Sequence, residues 1–303
     1  MRRVVLLALA LSLQTGVAAA QEMRPFTTFR QLHGETRLHA SLEYAAGALR
    51  VAPGRPTELY RMDLAFDGER FAPISDYDAA RNAVSLGLRR GGTGGMRVVS
   101  RGQLQQSANI AFAPSTELDL ALNLGAVDAD LELGGLRLAS LDLQTGASRS
   151  VVRFSRPNAT RCRSAELTSG AAELSVVGLG NSRCDRVVVE GGMGSVTLDF
   201  GGAWTSSAQV NVRMAMGQLT LRLPRRLGVR VTMDKFLSSF DPAGMVRQGN
   251  PSPRRATTGP SARSISRSRR RWVGCGWSGW MEAGRESRGR GKGEGRKGKG
   301  EEA

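Results

Sequence analysis

The sequence predicts an all-β protein: a stacked β-solenoid of the single-sheet β-helix kind, with an N-terminal β unit and a disordered basic C-terminal tail. Three observations predict it. Gly or Ala corners recur about every 22 residues between Leu118 and Leu223. Apolar residues occupy fixed alternate positions on both sides of each corner. After Gly249 the chain turns rich in Arg, Gly and Ser. The boundaries that follow are 1–20 for an export signal, 21–110 for the N-terminal β unit, 111–245 for the repeats and 246–303 for the tail.

The chain opens with Met1, Arg2 and Arg3, then an apolar run from Val4 to Leu13, then small residues ending at Ala18-Ala19-Ala20. This order is that of a secretory signal peptide, with cleavage predicted between Ala20 and Gln21. The apolar run is shorter than the roughly 20 residues a spanning helix needs, and an uncleaved anchor is the weaker alternative. Gln21 stands where a lipoprotein would carry Cys. No later stretch is apolar for long enough to cross a bilayer as a helix, so the mature protein is expected in the periplasm or outside the cell, with no transmembrane segment after cleavage.

In the N-terminal unit, Tyr44 to Val51 and Leu59 to Phe66 alternate or cluster apolar residues, as strands do, and Pro53, Gly54 and Pro56 mark a turn between them. Gly87 to Gly95 is predicted to be a loop. As a phosphate-binding loop it would need a helix behind it to aim amides at the anion, and no helical pattern follows.

The repeats are counted from Gly125, Gly146, Gly170, Gly192 and Ala215, spaced 21, 24, 22 and 23 residues apart. Five and three positions before these corners lie Leu120/Leu122, Leu141/Leu143, Ala165/Leu167, Val187/Val189 and Val210/Val212. Four, six and eight positions after them lie Ala129/Leu131/Leu133, Ser150/Val152/Phe154, Leu174/Val176/Gly178, Val196/Leu198/Phe200 and Leu219/Leu221/Leu223. Apart from Ser150 and Gly178 every one of these is apolar. Strand side chains alternate between faces, so each repeat is two short limbs with one apolar face, joined at a corner. One repeat cannot bury that face alone, whereas repeats stacked about 4.8 Å apart align the apolar columns into a continuous core. The column seven after the corner reads Glu132, Arg153, Val177, Asp199 and Arg222, the mixture expected of a solvated face.

Cys162 and Cys184 each stand eight residues before a corner, which places them in one column on successive rungs. Stacking would bring their Cα atoms to about 5 Å, within disulfide reach, and the expected compartment is oxidising. A Cys162–Cys184 disulfide is therefore predicted, with two free buried thiols as the alternative. A metal site there is disfavoured because no His is near.

The stretch Tyr44-Ala45-Ala46-Gly47-Ala48-Leu49-Arg50-Val51, the stretch Leu59-Tyr60-Arg61-Met62 and the repeated Gly/Ala corners resemble the toast-rack domain of bacterial cell-envelope proteins, which includes LiaF-like cell wall-active antibiotic response relatives. The resemblance spans roughly residues 35 to 245. It implies a stacked β fold and a role in envelope sensing, adhesion or scaffolding. It brings no catalytic residues with it.

The formal charge of +16 invites a nucleic-acid reading until it is located. Residues 247–303 hold 15 Lys and Arg against 5 Asp and Glu, a balance of +10, which leaves +6 for the preceding 246 residues. This tail has no apolar period and is not expected to fold by itself. Its codons offer an origin for it. Read two bases on, GC-rich codons for Ile265 to Trp280 can give Leu-Glu-Val-Ala-Ala-Ala-Val-Gly-Gly-Val-Arg-Val-Glu-Trp-Met, which obeys the column rule of the repeats. A one-base insertion or deletion near residue 250 would account for it.

No nucleophile elbow, phosphate-binding Gly loop or HExxH motif is present. The two histidines, His33 and His39, are expected on the surface. Asp119, Asp128, Asp130 and Asp142 make the best case for an enzyme, since paired carboxylates cleave glycans, but in this register they do not recur in one column. Calcium or sugar binding near Asp128 and Asp130 is the lesser reading of that corner. The expectation is a non-enzymatic, exported envelope protein with no catalytic, cofactor or metal site, whose partners are an envelope protein or cell-wall polymer and not nucleic acid. The alternatives are a carbohydrate-active enzyme on the same scaffold and nucleic-acid binding through the tail.

Overall fold

A computed structural model describes residues 23–91, 105–225, 227–233 and 272–277. The predicted signal peptide, with its cleavage site at Ala20/Gln21, lies outside the described residues. So does most of the tail.

The described chain is all β apart from a short 3-10 turn at Leu179–Ser182. Its strands are β1 Met23–Gln31, β2 Arg37–Pro53, β3 Glu58–Asp67, β4 Phe71–Asp78, β5 Ala83–Arg90, β6 Ser107–Phe112 and β7 Glu117–Glu132. They continue with β8 Arg137–Thr145, β9 Arg149–Arg153, β10 Cys162–Val177, β11 Cys184–Asp199, β12 Ala208–Arg222, β13 Gly228–Met233 and β14 Trp272–Trp277. All belong to one 14-stranded sheet.

Parallel pairing sets Leu120 beside Leu141, Leu141 beside Ala165, Ala165 beside Val187 and Val187 beside Val210. These offsets of 21, 24, 22 and 23 residues are the corner spacings read from the sequence. Each rung is one bent strand, or two strands where β8 and β9 divide at the bend. The two limbs turn their apolar columns to a shared core that contains Leu122, Leu143, Leu167, Val189 and Val212 from the first limbs, with Leu131, Val152, Val176 and Leu198 from the second. Ser150 keeps its place in this interior as a buried hydroxyl, donating to Ser148 Oγ at 3.2 Å.

The conformation of the corner lies two residues beyond the counted position. Gly194 and Gly217 have φ of 128° and 127°, and a Cβ on Gly217 would stand 1.9 Å from the Gly194 carbonyl oxygen. Only glycine fits both that backbone and that approach.

The far sides of the rungs are irregular, and side chains supply the pairing that strands supply elsewhere. The buried Asn158 accepts from the Leu138 amide at 2.8 Å and donates to the carbonyls of Leu138 at 2.7 Å and Ser182 at 3.1 Å, so one amide group links three successive rungs.

Two sequence expectations change here. Residues 21–110 are not a unit beside the repeats, because β2 pairs along its length with β7, setting Ala40 beside Leu120 and Leu49 beside Ala129. Ala45 thus faces Gly125 as an earlier corner, 80 residues away, and the excursion through β3 to β6 hides the period. On the other side of β2 lie β5 on the first limb and β6 on the second. Gly87, expected in a loop, is inside β5, where it packs so closely on β2 that a Cβ would stand 1.9 Å from the Glu43 carbonyl oxygen. Gly92 to Gly95 lie outside the described residues.

The N-terminal end of the stack is closed by reversal. Strand β3 runs antiparallel on β6, β4 antiparallel on β5, and β1 antiparallel on β3. Pro73 on β4 lacks an amide to offer a further strand, which suits an edge. At the other end, β14 pairs in parallel with Ala208–Val212 of β12, and β13 pairs with β14. The tail, expected to be without structure, therefore contributes one strand at Trp272–Trp277. The rest of it lies outside the described residues.

Candidate functional site: a groove across the first limbs

The outward side chains of the first limbs line a shallow groove of about 440 Å³ that crosses β5, β2, β7, β8 and β10. It exists because the residues between the buried columns are small: Ser41, Ser85, Ala121, Ser140 and Ser164 leave a trough between longer neighbours. Each rung adds another polar group at the sheet spacing of about 4.8 Å.

Asp119 anchors the groove. Its Oδ2 accepts from Arg37 Nε at 2.7 Å and lies 3.2 Å from His39 Nδ1, while its Oδ1 accepts from Ser140 Oγ at 2.6 Å and from Arg163 at 2.8 Å. Its side chain is 14% exposed. Burial works to raise its pKa, but the hydrogen bonds from Arg37 and Ser140 and the charges of Arg37 and Arg163 outweigh burial and hold the carboxyl below its usual range. Held this way, Asp119 is an anion already satisfied by its neighbours, a structural clamp and a poor proton donor. His39 is on the surface as expected, and its ring stands against Asp119 there. The contact spans β2 and β7, the pairing that the sequence period did not reveal.

The four aspartates of the sequence argument separate. Asp119 and Asp142 face the first-limb groove. Asp128 and Asp130 lie on the outer face of the second limb, where Asp128 stands in register with Arg149 and Asp130 pairs with Arg153. The mixed-charge ladder continues there with Arg149 and Glu173 at 2.9 Å. The acid that joins Asp142 is one sequence reasoning passed over: Glu166 sits beside it in register on the next rung, and both line the groove. Neither has an ion-pair partner among the described residues. The signal that could have found Glu166 was its position, four before Gly170 as Asp142 is four before Gly146.

A disulfide joins Cys162 to Cys184 across the start of β10 and β11, where the two residues pair in register with Cα atoms 4.1 Å apart. At the corners of β11 and β12, Met193 and Met216 pair in register and are 60% and 66% exposed. The described residues hold no group of three or more His, Cys, Asp or Glu placed to bind a metal ion. Nor do they include a helix long and apolar enough to cross a membrane.

Stacked parallel bent strands, an antiparallel cap and an outward polar groove define a class of all-β repeat protein. The chain matches the N-terminal domain of toast_rack, DUF2154, over residues 16–177, more than half its length, and it belongs to that family. A putative cell adhesion protein from Clostridium sporogenes is similar in fold, at 12% identity and a TM-score of 0.50, over 85% of this chain and 95% of that one. A putative adhesin from Bacteroides fragilis is 11% identical, with a TM-score of 0.34, over 66% of this chain and 94% of the other. No curated protein matches the sequence.

Proposed function

We propose that this is an exported, non-enzymatic protein of the bacterial envelope that binds a cell-wall polymer or an envelope protein along the groove of its first limbs, in an adhesive or stress-sensing role. The observation that carries this reading is the groove itself. It repeats hydroxyls and carboxylates over five rungs at fixed spacing, which suits an extended ligand with its own repeat. The disulfide supports an oxidising compartment, as the signal-like N-terminus does. The Clostridium sporogenes protein of similar fold is a putative cell adhesion protein.

The test is co-sedimentation of the protein with purified cell-wall polymer and with intact envelopes, comparing the wild type with the double variant Asp142→Arg, Glu166→Arg. Retention that falls at least about tenfold in the variant supports groove binding. Equal retention of both proteins, or none of either, removes it.

A second reading has one observation in its favour. Asp142 and Glu166 on adjacent rungs form a carboxylate pair of the sort glycan-cleaving enzymes use. It requires the same polymer to be shortened during incubation and the cleavage to cease in Glu166→Gln.

A further inference from the structure

The outer face of the second limb holds a smaller cavity of about 220 Å³, where the antiparallel cap meets the stack. Register builds it. Strand β6 sets Asn109 between Asp63 of β3 and Arg50 of β2, and in the next row it sets Ala111 between Arg61 and Ala52. The two alanines leave a hollow, and the long side chains of Arg50 and Arg61 wall it. Its charge is opposite to that of the first-limb groove. Two guanidiniums meet one carboxylate here, whereas Asp119, Asp142 and Glu166 line the groove beside a single His.

The acids closest to Arg50 in this register are committed to other groups. Asp63 accepts from Arg61 Nε at 2.9 Å and Nη2 at 3.2 Å, and from Thr27 Oγ1 at 2.9 Å. Asp130, which flanks Arg50 on β7, pairs with Arg153. Arg61 spends its planar fork on Asp63, so the guanidinium that the cavity presents to an incoming group is that of Arg50, with the Asn109 amide beside it. A guanidinium fork matches a carboxylate, and an amide both donates to and accepts from hydroxyls. One strand outward, Phe29 stands in register with Arg61 and is 51% exposed, with the Arg61 guanidinium 5.5 Å from its ring centre. An exposed ring fixed in this way is a flat apolar platform next to a charged, hydrogen-bonding hollow. The hollow is smaller than the roughly 300–1,000 Å³ of sites for drug-sized ligands, which limits its occupant to a single small unit.

We propose that this cavity is a second binding site, which takes one carboxylate-bearing sugar of an acidic glycan. The carboxylate lies on Arg50, the ring hydroxyls reach Asn109, the methyls of Ala52 and Ala111 form the floor, and the adjoining sugar of the chain rests on Phe29. The site is on the other limb from the groove and is independent of what the groove binds. An anionic glycan also has reason to choose it, since the carboxylates of the groove would repel the same ligand.

The test is calorimetric titration of the full chain with trigalacturonic acid, with its methyl ester as an uncharged counterpart of the same shape, and with inorganic phosphate. The acid should bind at least about tenfold more tightly than the ester, and Arg50→Gln should weaken it by a similar factor, as loss of a charged hydrogen-bond partner does. Phe29→Ala should weaken it as well, while the groove variant Asp142→Arg, Glu166→Arg should not. If Arg50→Gln does not fold, Arg50→Lys replaces it, and weaker binding is again expected because the charge remains but the fork is gone. No binding of the acid, equal affinity for acid and ester, or affinity untouched at Arg50 overturns the proposal. Phosphate that binds as tightly as the trimer overturns it too, since the cavity would then be a general anion site with no preference for a sugar.

Discussion

At the scale of single residues, Asp119 shows how the groove is held and how it should respond to acid. Four groups from β2, β8 and β10 converge on one carboxylate, so its charge fixes the relative positions of rungs far apart in sequence. Its folded pKa is depressed, so its contribution to stability is fully present above the unfolded value, near pH 4. That contribution is lost as pH falls through the lower, folded value. Urea midpoints measured from pH 6 down to pH 2 should therefore decline more steeply in the wild type than in Asp119→Asn. Parallel curves for the two proteins would mean that the convergence seen around Asp119 adds nothing to stability. His39 joins this network from the exposed side, with its ring 3.2 Å from the carboxylate.

At the scale of elements, the disulfide ties the first limbs of β10 and β11 at their N-terminal ends, closing a loop 22 residues long. Constraining the unfolded chain over that length is worth about 3 kcal/mol. Reduction, or the double variant Cys162→Ala, Cys184→Ala, should lower the free energy of unfolding by about that amount, read as a lower denaturant midpoint with a somewhat steeper slope, because the released unfolded chain exposes more surface. A midpoint that does not move would show that the two rungs are held by their ladder and core alone. The elements also divide cleanly into those the sequence revealed and those it did not. The β7 to β12 rungs were legible because Leu, Val and Ala recur at fixed distances from a small residue, and stacking demands that recurrence. The rung at β2 obeys the same rule around Ala45, yet 80 residues separate it from its partner β7, and no period shows across such a gap. The site inherited that blindness. Asp119, Ser140 and Asp142 lie within the visible repeats, whereas His39 and Arg37 reach them only through the β2–β7 pairing. Chain reversal in β3 and β4 escaped notice for a related reason, since alternation marks a strand and not its direction.

For the whole molecule, stability should be distributed along the stack as well as summed over it. Each rung touches only its neighbours, so the free energy of opening at any rung depends on what lies between it and the nearer end. The two ends differ in construction. The N-terminal end is closed by antiparallel strands on both limbs, with β3 and β4 covering β6 and β5 and β1 covering β3. The other end leaves the second limb of β12 with a single partner among the described residues. Opening should therefore begin at β12 and travel inward, and it should meet its first obstacle at β11, which the disulfide fastens to β10. Native-state hydrogen exchange should then show a step: fast amides in the second limb of β12, slower ones in β11, and the slowest in β10, β7 and β2 at the middle of the sheet. Reducing the disulfide should move that step inward by one rung without altering exchange in β2. Uniform exchange from β2 to β12 would instead mark the stack as one cooperative unit, in which no rung opens ahead of the others.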